Sequence, residues 1–187
     1  MKDTHMNLTA SVRIVLVASL FVASSALAGL TKVGDGVASF KGVGPAGFKI
    51  EGKTRTVDVK DDGKSLTIVV GLKDLETGIS LRDSHMREKY LEVDKFPEAT
   101  LAIAGDQVKW PEDGKSSEGS AKGTFSVHGV SKEITFTYKI TNAGGTYAVE
   151  GEAPVNFKDH GVNVPSYMGI TVKPDITILS KFNAKKG

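Results

Sequence analysis

The chain has 187 residues, 24 basic against 22 acidic side chains, a formal net charge of +2 and no cysteine. Without cysteine there are no disulfides, no thiolate metal sites, no cysteine nucleophile and no lipidated N-terminal cysteine. So nearly balanced a charge argues against bulk nucleic-acid binding, which needs a clearly basic surface.

In chain order, the first element reads as a leader. Lys2 and Arg13 precede the apolar run Ile14–Ala23, and Ala26-Leu27-Ala28 has the form of a cleavage site before Gly29. Initiation at Met6 gives the same reading with a shorter basic region. The run falls short of the ~20 apolar residues that span a bilayer. A cleaved signal peptide over 1–28 is therefore expected, followed by an exported periplasmic chain without a transmembrane segment. Residues 29–187 then form a single domain, long enough to bury roughly 70% of its unfolded surface. It folds on core burial alone, in a compartment that would have permitted disulfides.

All 21 glycines follow the leader and separate short alternating runs, the pattern of an antiparallel all-β domain. Lys41-Gly-Val-Gly-Pro-Ala-Gly-Phe48 carries glycines at phosphate-loop spacing. It lacks the lysine of such a loop and any βαβ setting, so it reads as a turn between strands. After the turn Asp61-Asp62-Gly63, Ser65–Leu72 places Leu66, Ile68, Val70 and Leu72 on one face.

Residues 71–103 break the pattern with one helix-like island. Wound at 100° per residue, Ile79, Met86 and Tyr90 share a stripe, and Arg82, His85 and Lys89 form a basic band beside it. Ser80-x-x-Asp83 has the form of a capping box, with Thr77 as an alternative cap; Asp83 is read as a capping or arginine-pairing residue. The helical insertion is expected over about 79–91. It ends before Pro97, and Ala99–Ile103 returns to an extended run.

Trp110–Gly119 is polar and turn-rich and reads as an exposed loop. Phe125 and Val127 lead through a tight His128-Gly129 turn into Ile134, Phe136, Tyr138 and Ile140. Asn142–Gly145 turns the chain into Tyr147, Val149 and Gly151, and Asp159-His160-Gly161 reads as a loop. Ile176, Ile178, Ser180 and Phe182 form a last strand. Strand spacing near a dozen residues suits either a barrel or a sandwich.

Catalytic and metal signals are weak. The histidines after the leader, His85, His128 and His160, lie on separate elements without H-x-H or H-E-x-x-H spacing, so no metal site is assigned. There is no G-x-S-x-G and no serine placed by sequence beside a histidine. A solvated helix face is the ordinary reading of the basic band; a clamp for a phosphate or quinone head group is the functional one.

The stretch TGISLRDSHMREKYLEVDKFPEATL resembles the signature of the YceI-like family. Its matching positions are Thr77-Gly78, Arg82-Asp83, His85-Met86, Val93, Lys95, Phe96-Pro97 and Thr100. Gly123–Ile134 is similar to the family's hairpin, and Asn156–Ile178 to its last loop and strand. At two places the chain departs from the family. Val43–Gly47 stands where a histidine is often found, and Tyr90-Leu91 replaces an aromatic pair.

The resemblance implies a lipocalin-like antiparallel barrel of about eight strands that binds isoprenoid or other long-chain lipid, a polyprenyl phosphate or a prenylated quinone. Its apolar lining is then expected from Leu66, Ile68, Val70, Phe125, Val127, Phe136, Tyr138, Val149, Ile176 and Ile178, with Arg82 and His85 near the head group. Lipid tails are as apolar as such a lining, so cargo would exchange with bilayers during transient membrane contact. No cofactor and no turnover are expected, and a homodimer is left open. The alternative is a non-enzymatic envelope interaction protein with a filled core, since inward Leu, Ile, Val and Phe fit both outcomes.

Overall fold

The computed structural model describes residues 29–164, 166–167 and 170–187. The expected leader, 1–28, lies outside the described residues. Among the described residues eleven strands form: β1 Leu30–Val43, β2 Lys49–Thr54, β3 Val57–Asp61, β4 Ser65–Gly71, β5 Glu98–Ala104, β6 Ser116–Val127, β7 Val130–Ala143, β8 Thr146–Asn156, β9 Ser166–Tyr167, β10 Ile170–Thr171 and β11 Asp175–Lys186. Nine of them make one antiparallel sheet in the order β2-β1-β11-β8-β7-β6-β5-β4-β3, and β9 and β10 pair separately.

The two ends of that sheet meet, so it is a nearly closed barrel. β2 pairs with the second half of β1, Ala38 opposite Thr54 through Val43 opposite Lys49. After the break at Arg55-Thr56, β3 runs on beside the first half of β1. There the Leu30 N–H donates to the Asp61 carboxylate at 2.9 Å, and the Val57 side chain packs onto Gly36. The count of nine, against the expected eight, comes from this break, which divides one wall position between β2 and β3.

Period-two alternation sends one side chain of each pair inward. Phe136, Tyr138 and Ile140 of β7, Tyr147, Val149 and Ala153 of β8, and Ile176, Phe182 and Ala184 of β11 are all buried in one continuous core. The His128-Gly129 turn forms as expected, with φ of 53° and 76° at its two central residues. One expectation needs correction: Ser116–Gly119 belong to β6, and Trp110 is half-buried against the core. Trp110 packs edge-on to Tyr147 with ring centroids 5.3 Å apart, which draws the loop over the barrel end.

The helical island forms as α1, Ser80–Ser84, continuing in wider π-helical turns over His85–Tyr90. It crosses one end of the barrel. On its near side Lys53 and Glu76 exchange backbone hydrogen bonds, fixing the approach to β2. On its far side Glu92 reaches His128 in the β6–β7 turn. Leu91 and Val93 are buried and Met86 and Tyr90 pack against the core. Ile79 departs from the expected stripe: it precedes the first helical turn in extended conformation and points outward.

Candidate functional site

The interior is stoppered at both ends. At one, the helix contributes Met86 and Tyr90 and the chain after it Leu91 and Val93; at the other, the loop after β5 contributes Val108 and Trp110. Between them a cavity of about 60 Å³ lies in the half of the barrel nearer Trp110. Its wall is almost wholly apolar.

Six of the ten expected lining residues border this cavity: Leu66, Ile68, Phe136, Tyr138, Val149 and Ile178. The other four, Val70, Phe125, Val127 and Ile176, belong to the same core without bordering the cavity. Sequence alternation missed Trp110 and Val108, which arrive from a loop, although an isolated tryptophan in a polar stretch was a usable signal. It also passed over Leu101 and Ile103 of β5.

Small residues decide where the space falls. Gly151 alternates with Val149 and Ala153 and so faces inward, and a Cβ built on it would meet only the Thr137 carbonyl oxygen at 3.9 Å. Gly119, by contrast, is covered by Tyr138, whose hydroxyl lies 3.0 Å and ring 3.2 Å from where its Cβ would lie. Tyr138 keeps its hydroxyl satisfied by accepting from the Lys109 N–H at 3.2 Å. Ser180 also borders the cavity, and its buried hydroxyl has no hydrogen-bond partner among the described residues.

On the outer wall, a wide groove of about 560 Å³ crosses β6, β7, β8 and β11. It is edged by the cross-strand row Glu118, Lys139, Glu150 and Lys181, in which Lys181 and Glu150 are 3.1 Å apart. Opposite charges stand across from one another in register, so this surface is a solvated charge ladder.

The basic band divides. Arg82 is half-buried and turned back on the chain: its Nε donates to the Thr77 hydroxyl at 2.6 Å and a terminal nitrogen to the Thr77 carbonyl at 3.0 Å. His85 and Lys89 are exposed. Asp83 does not cap the helix's own N–H groups; it ties the helix back to the segment before it, accepting the Thr77 N–H at 2.7 Å and also the Thr77 hydroxyl. Burial pushes its carboxyl up, but the two Thr77 bonds and the charges of Arg87 and Arg82 outweigh that and leave it below the usual range. Ser80 makes no capping bond.

His160 was read as part of a loop, yet it is 1% exposed. Its Nδ1 lies 3.0 Å from the Val130 carbonyl, and its ring stands edge-on to Phe125 at 5.2 Å. It is a packed core histidine. No grouping of three or more metal-ligating side chains occurs among the described residues.

A nearly closed antiparallel barrel, apolar inside and capped by one helix, defines a class built to enclose something greasy or to be filled by its own side chains. A family model described as the YceI-like domain matches residues 24–184, and the chain belongs to that family. Solved structures agree on the fold. A polyisoprenoid-binding domain from Saccharophagus degradans implicated in plant cell wall breakdown superposes with a TM-score of 0.71 at 13% identity, covering 85% of this chain and 99% of that one. BcnA of Burkholderia cenocepacia gives 0.62 at 16% identity, covering 81% and 96%. The YCEI protein of Campylobacter jejuni gives 0.53 at 14%, covering 100% and 99%. No curated protein matches the chain.

Proposed function

We propose that this chain is an exported carrier that shelters a long-chain lipid of isoprenoid type inside its barrel, without chemical turnover. The observation that carries the reading is the apolar cavity edged by Gly151, in a wall whose inward side chains are Leu, Ile, Val, Phe, Ala, Tyr and Trp with Ser180 the polar exception. Support comes from the family and from a structural neighbour that is itself a polyisoprenoid-binding domain. Each buried methylene contributes ~0.8 kcal/mol relative to water, but that gain largely cancels against a bilayer. Cargo held this way exchanges with membranes.

The cavity as it stands holds only a fragment of such a chain. A longer tail requires the helix end to move, because Val70, Phe125, Val127 and Ile176 fill the space towards it. The π-helical turns at His85–Tyr90 mark the place, since such turns are less regularly bonded than an α-helix and recur at functional sites. Arg82 keeps unused guanidinium donors beyond its Thr77 bonds, and His85 is exposed beside it; both would face a head group emerging past the helix. Periplasmic export belongs to this reading and rests on the leader pattern in the sequence.

Native mass spectrometry and organic extraction of protein purified from its host test the proposal. Stoichiometric prenyl lipid is expected, and Gly151→Leu, which puts a side chain into the cavity, should lose it while keeping its circular dichroism. Repeated lipid-free preparations of the wild type would favour the second reading, an envelope interaction protein with a filled core. The small size of the cavity is the observation on that side.

A further inference from the structure

Four large apolar side chains stand exposed among the described residues: Val33, Phe48, Ile79 and Leu81. Three of them belong to one end of the barrel. Phe48 closes the turn between β1 and β2, a tight 3₁₀ turn over Pro45–Gly47. Ile79 and Leu81 flank the start of α1. The backbone pairing of Lys53 with Glu76 is antiparallel, so beyond it the chain climbs beside β2 towards Lys49 and Phe48. Thr77, one residue past Glu76, follows that course: it lies against Gly52, one residue from Lys53 along β2. Phe48 is 61% exposed, Ile79 51% and Leu81 69%.

Such side chains cost free energy in water, and clustering at one tip distinguishes them from the singly scattered apolar residues that every surface carries. Two lysines mark the rim; of the acids at this end, Asp175 accepts from the Asn156 side-chain amide and Glu88 is exposed on the helix. Lys49 follows Phe48 directly, and Lys173, whose N–H donates to the Val43 carbonyl at 2.9 Å, stands beside the same turn. Both are exposed, and neither is engaged in an ion pair among the described residues. The carboxylate nearest the cluster in α1, Asp83, is buried and committed to Thr77. Glu51 is the exposed acid closest along β2, facing Lys41 across the β1–β2 pair. Apolar residues flanked by two such lysines are the complement of an anionic bilayer surface, where the former enter the acyl boundary and the latter pair with phosphates.

We propose that the helix-capped end of the barrel is a membrane-docking tip, in which Phe48, Ile79 and Leu81 enter an anionic lipid surface and Lys49 and Lys173 pair with its phosphates. The inference rests on the carrier reading for its purpose, since docking here sets the helical cap against the bilayer with which cargo exchanges. Docking itself is physically separate from what the interior holds.

The absence of native cysteine allows one label per molecule. An environment-sensitive fluorophore is attached to Leu81→Cys at the tip, or to Asp106→Cys in the exposed loop at the opposite end. Vesicles of phosphatidylglycerol and phosphatidylethanolamine are then added. The tip label should brighten at least about twofold and shift to the blue, and the Asp106 label should not. Vesicle co-sedimentation of Phe48→Ser/Ile79→Ser/Leu81→Ser should fall by at least about tenfold, and that of Lys49→Gln/Lys173→Gln by roughly tenfold. Salt should weaken the wild type. All changed positions are exposed, and circular dichroism confirms that the fold is kept.

A tip label that stays solvent-like, or a triple variant that sediments as well as wild type, overturns the proposal. So does a tip-dependent doubling of mass by light scattering without any vesicle response, which would assign the patch to a second copy. If docking fails while extraction still yields lipid, only this inference falls. Docking by a protein that never yields lipid leaves the tip standing and removes the carrier.

Discussion

The imidazole of His128, in the β6–β7 turn, lies 2.9 Å from the carboxylate of Glu92, just beyond the helix and 36 residues away in sequence. This clasp fixes the far side of the helical cap, as the Lys53–Glu76 backbone pair fixes the near side. Both partners sit at positive φ, 45° for Glu92 and 53° for His128. Phe96 backs the pair, its ring centroid 4.8 Å from that of His128.

The clasp should weaken in acid. Hydrogen bonding to Lys95 first, and to His128 second, holds the Glu92 carboxyl below its usual range. A depressed folded value means that its contribution is present above the unfolded value of about 4.3 and is lost as pH falls through the lower folded one. Wild type should therefore melt above Glu92→Gln at pH 6, and the gap should close on acidification. A gap that persists unchanged to pH 3 would contradict this.

Asp83 ties the first turn of α1 to the segment beside β2. Replacing it by alanine leaves the Thr77 N–H and hydroxyl without their acceptor and should cost about 1–3 kcal/mol. Urea denaturation measures the loss, and hydrogen exchange should locate it in residues 77–91. Uniform protection across that segment in the variant would mean that the helix is held by packing alone.

Phe136 is buried and borders the cavity. Phe136→Ala should destabilise by about 3–5 kcal/mol, while Phe136→Leu costs less and still enlarges the space. If the interior is where lipid sits, the leucine variant should retain or gain bound lipid as Gly151→Leu loses it. Equal lipid content in all three, measured by extraction, would place the cargo elsewhere.

Arg82 and His85 should separate in their effects. His85 is exposed, so His85→Ala should shift stability by no more than about 0.5 kcal/mol. Arg82→Ala removes two bonds to Thr77 and should destabilise measurably as well. Each should weaken binding of an anionic prenyl lipid relative to a neutral one of equal tail length. Titration showing the same affinity for both lipids in wild type and variants would remove them from the head-group role.

Most of the wall could be read directly. In β4, β7 and β8 the alternation of Leu66-Ile68, Phe136-Tyr138-Ile140 and Tyr147-Val149 marks the inward face, because a strand's period of two leaves no other way to bury all of them. The helix was equally plain between Thr77 and Pro97. Ile79 was misplaced because a helical wheel assumes that the helix has already begun, and it begins one residue later. Trp110 was misplaced because loop polarity says nothing about a single ring that finds Tyr147 across the barrel end.

By itself, then, the order of residues determined most of the strands from β4 onward, their turns and the helical insertion, which follow from local periodicity and short-range chemistry, while its motifs carried the resemblance to the family. Tertiary structure alone decided how much room the barrel keeps. That volume depends on whether Phe125, Phe136, Tyr138 and Trp110, brought from distant parts of the chain, fill the space left by Gly151 and Ala153, and side chains meet across a barrel only once it has closed. The same closure gathered Phe48, Ile79 and Leu81 at one end, from two segments whose proximity no local pattern announces.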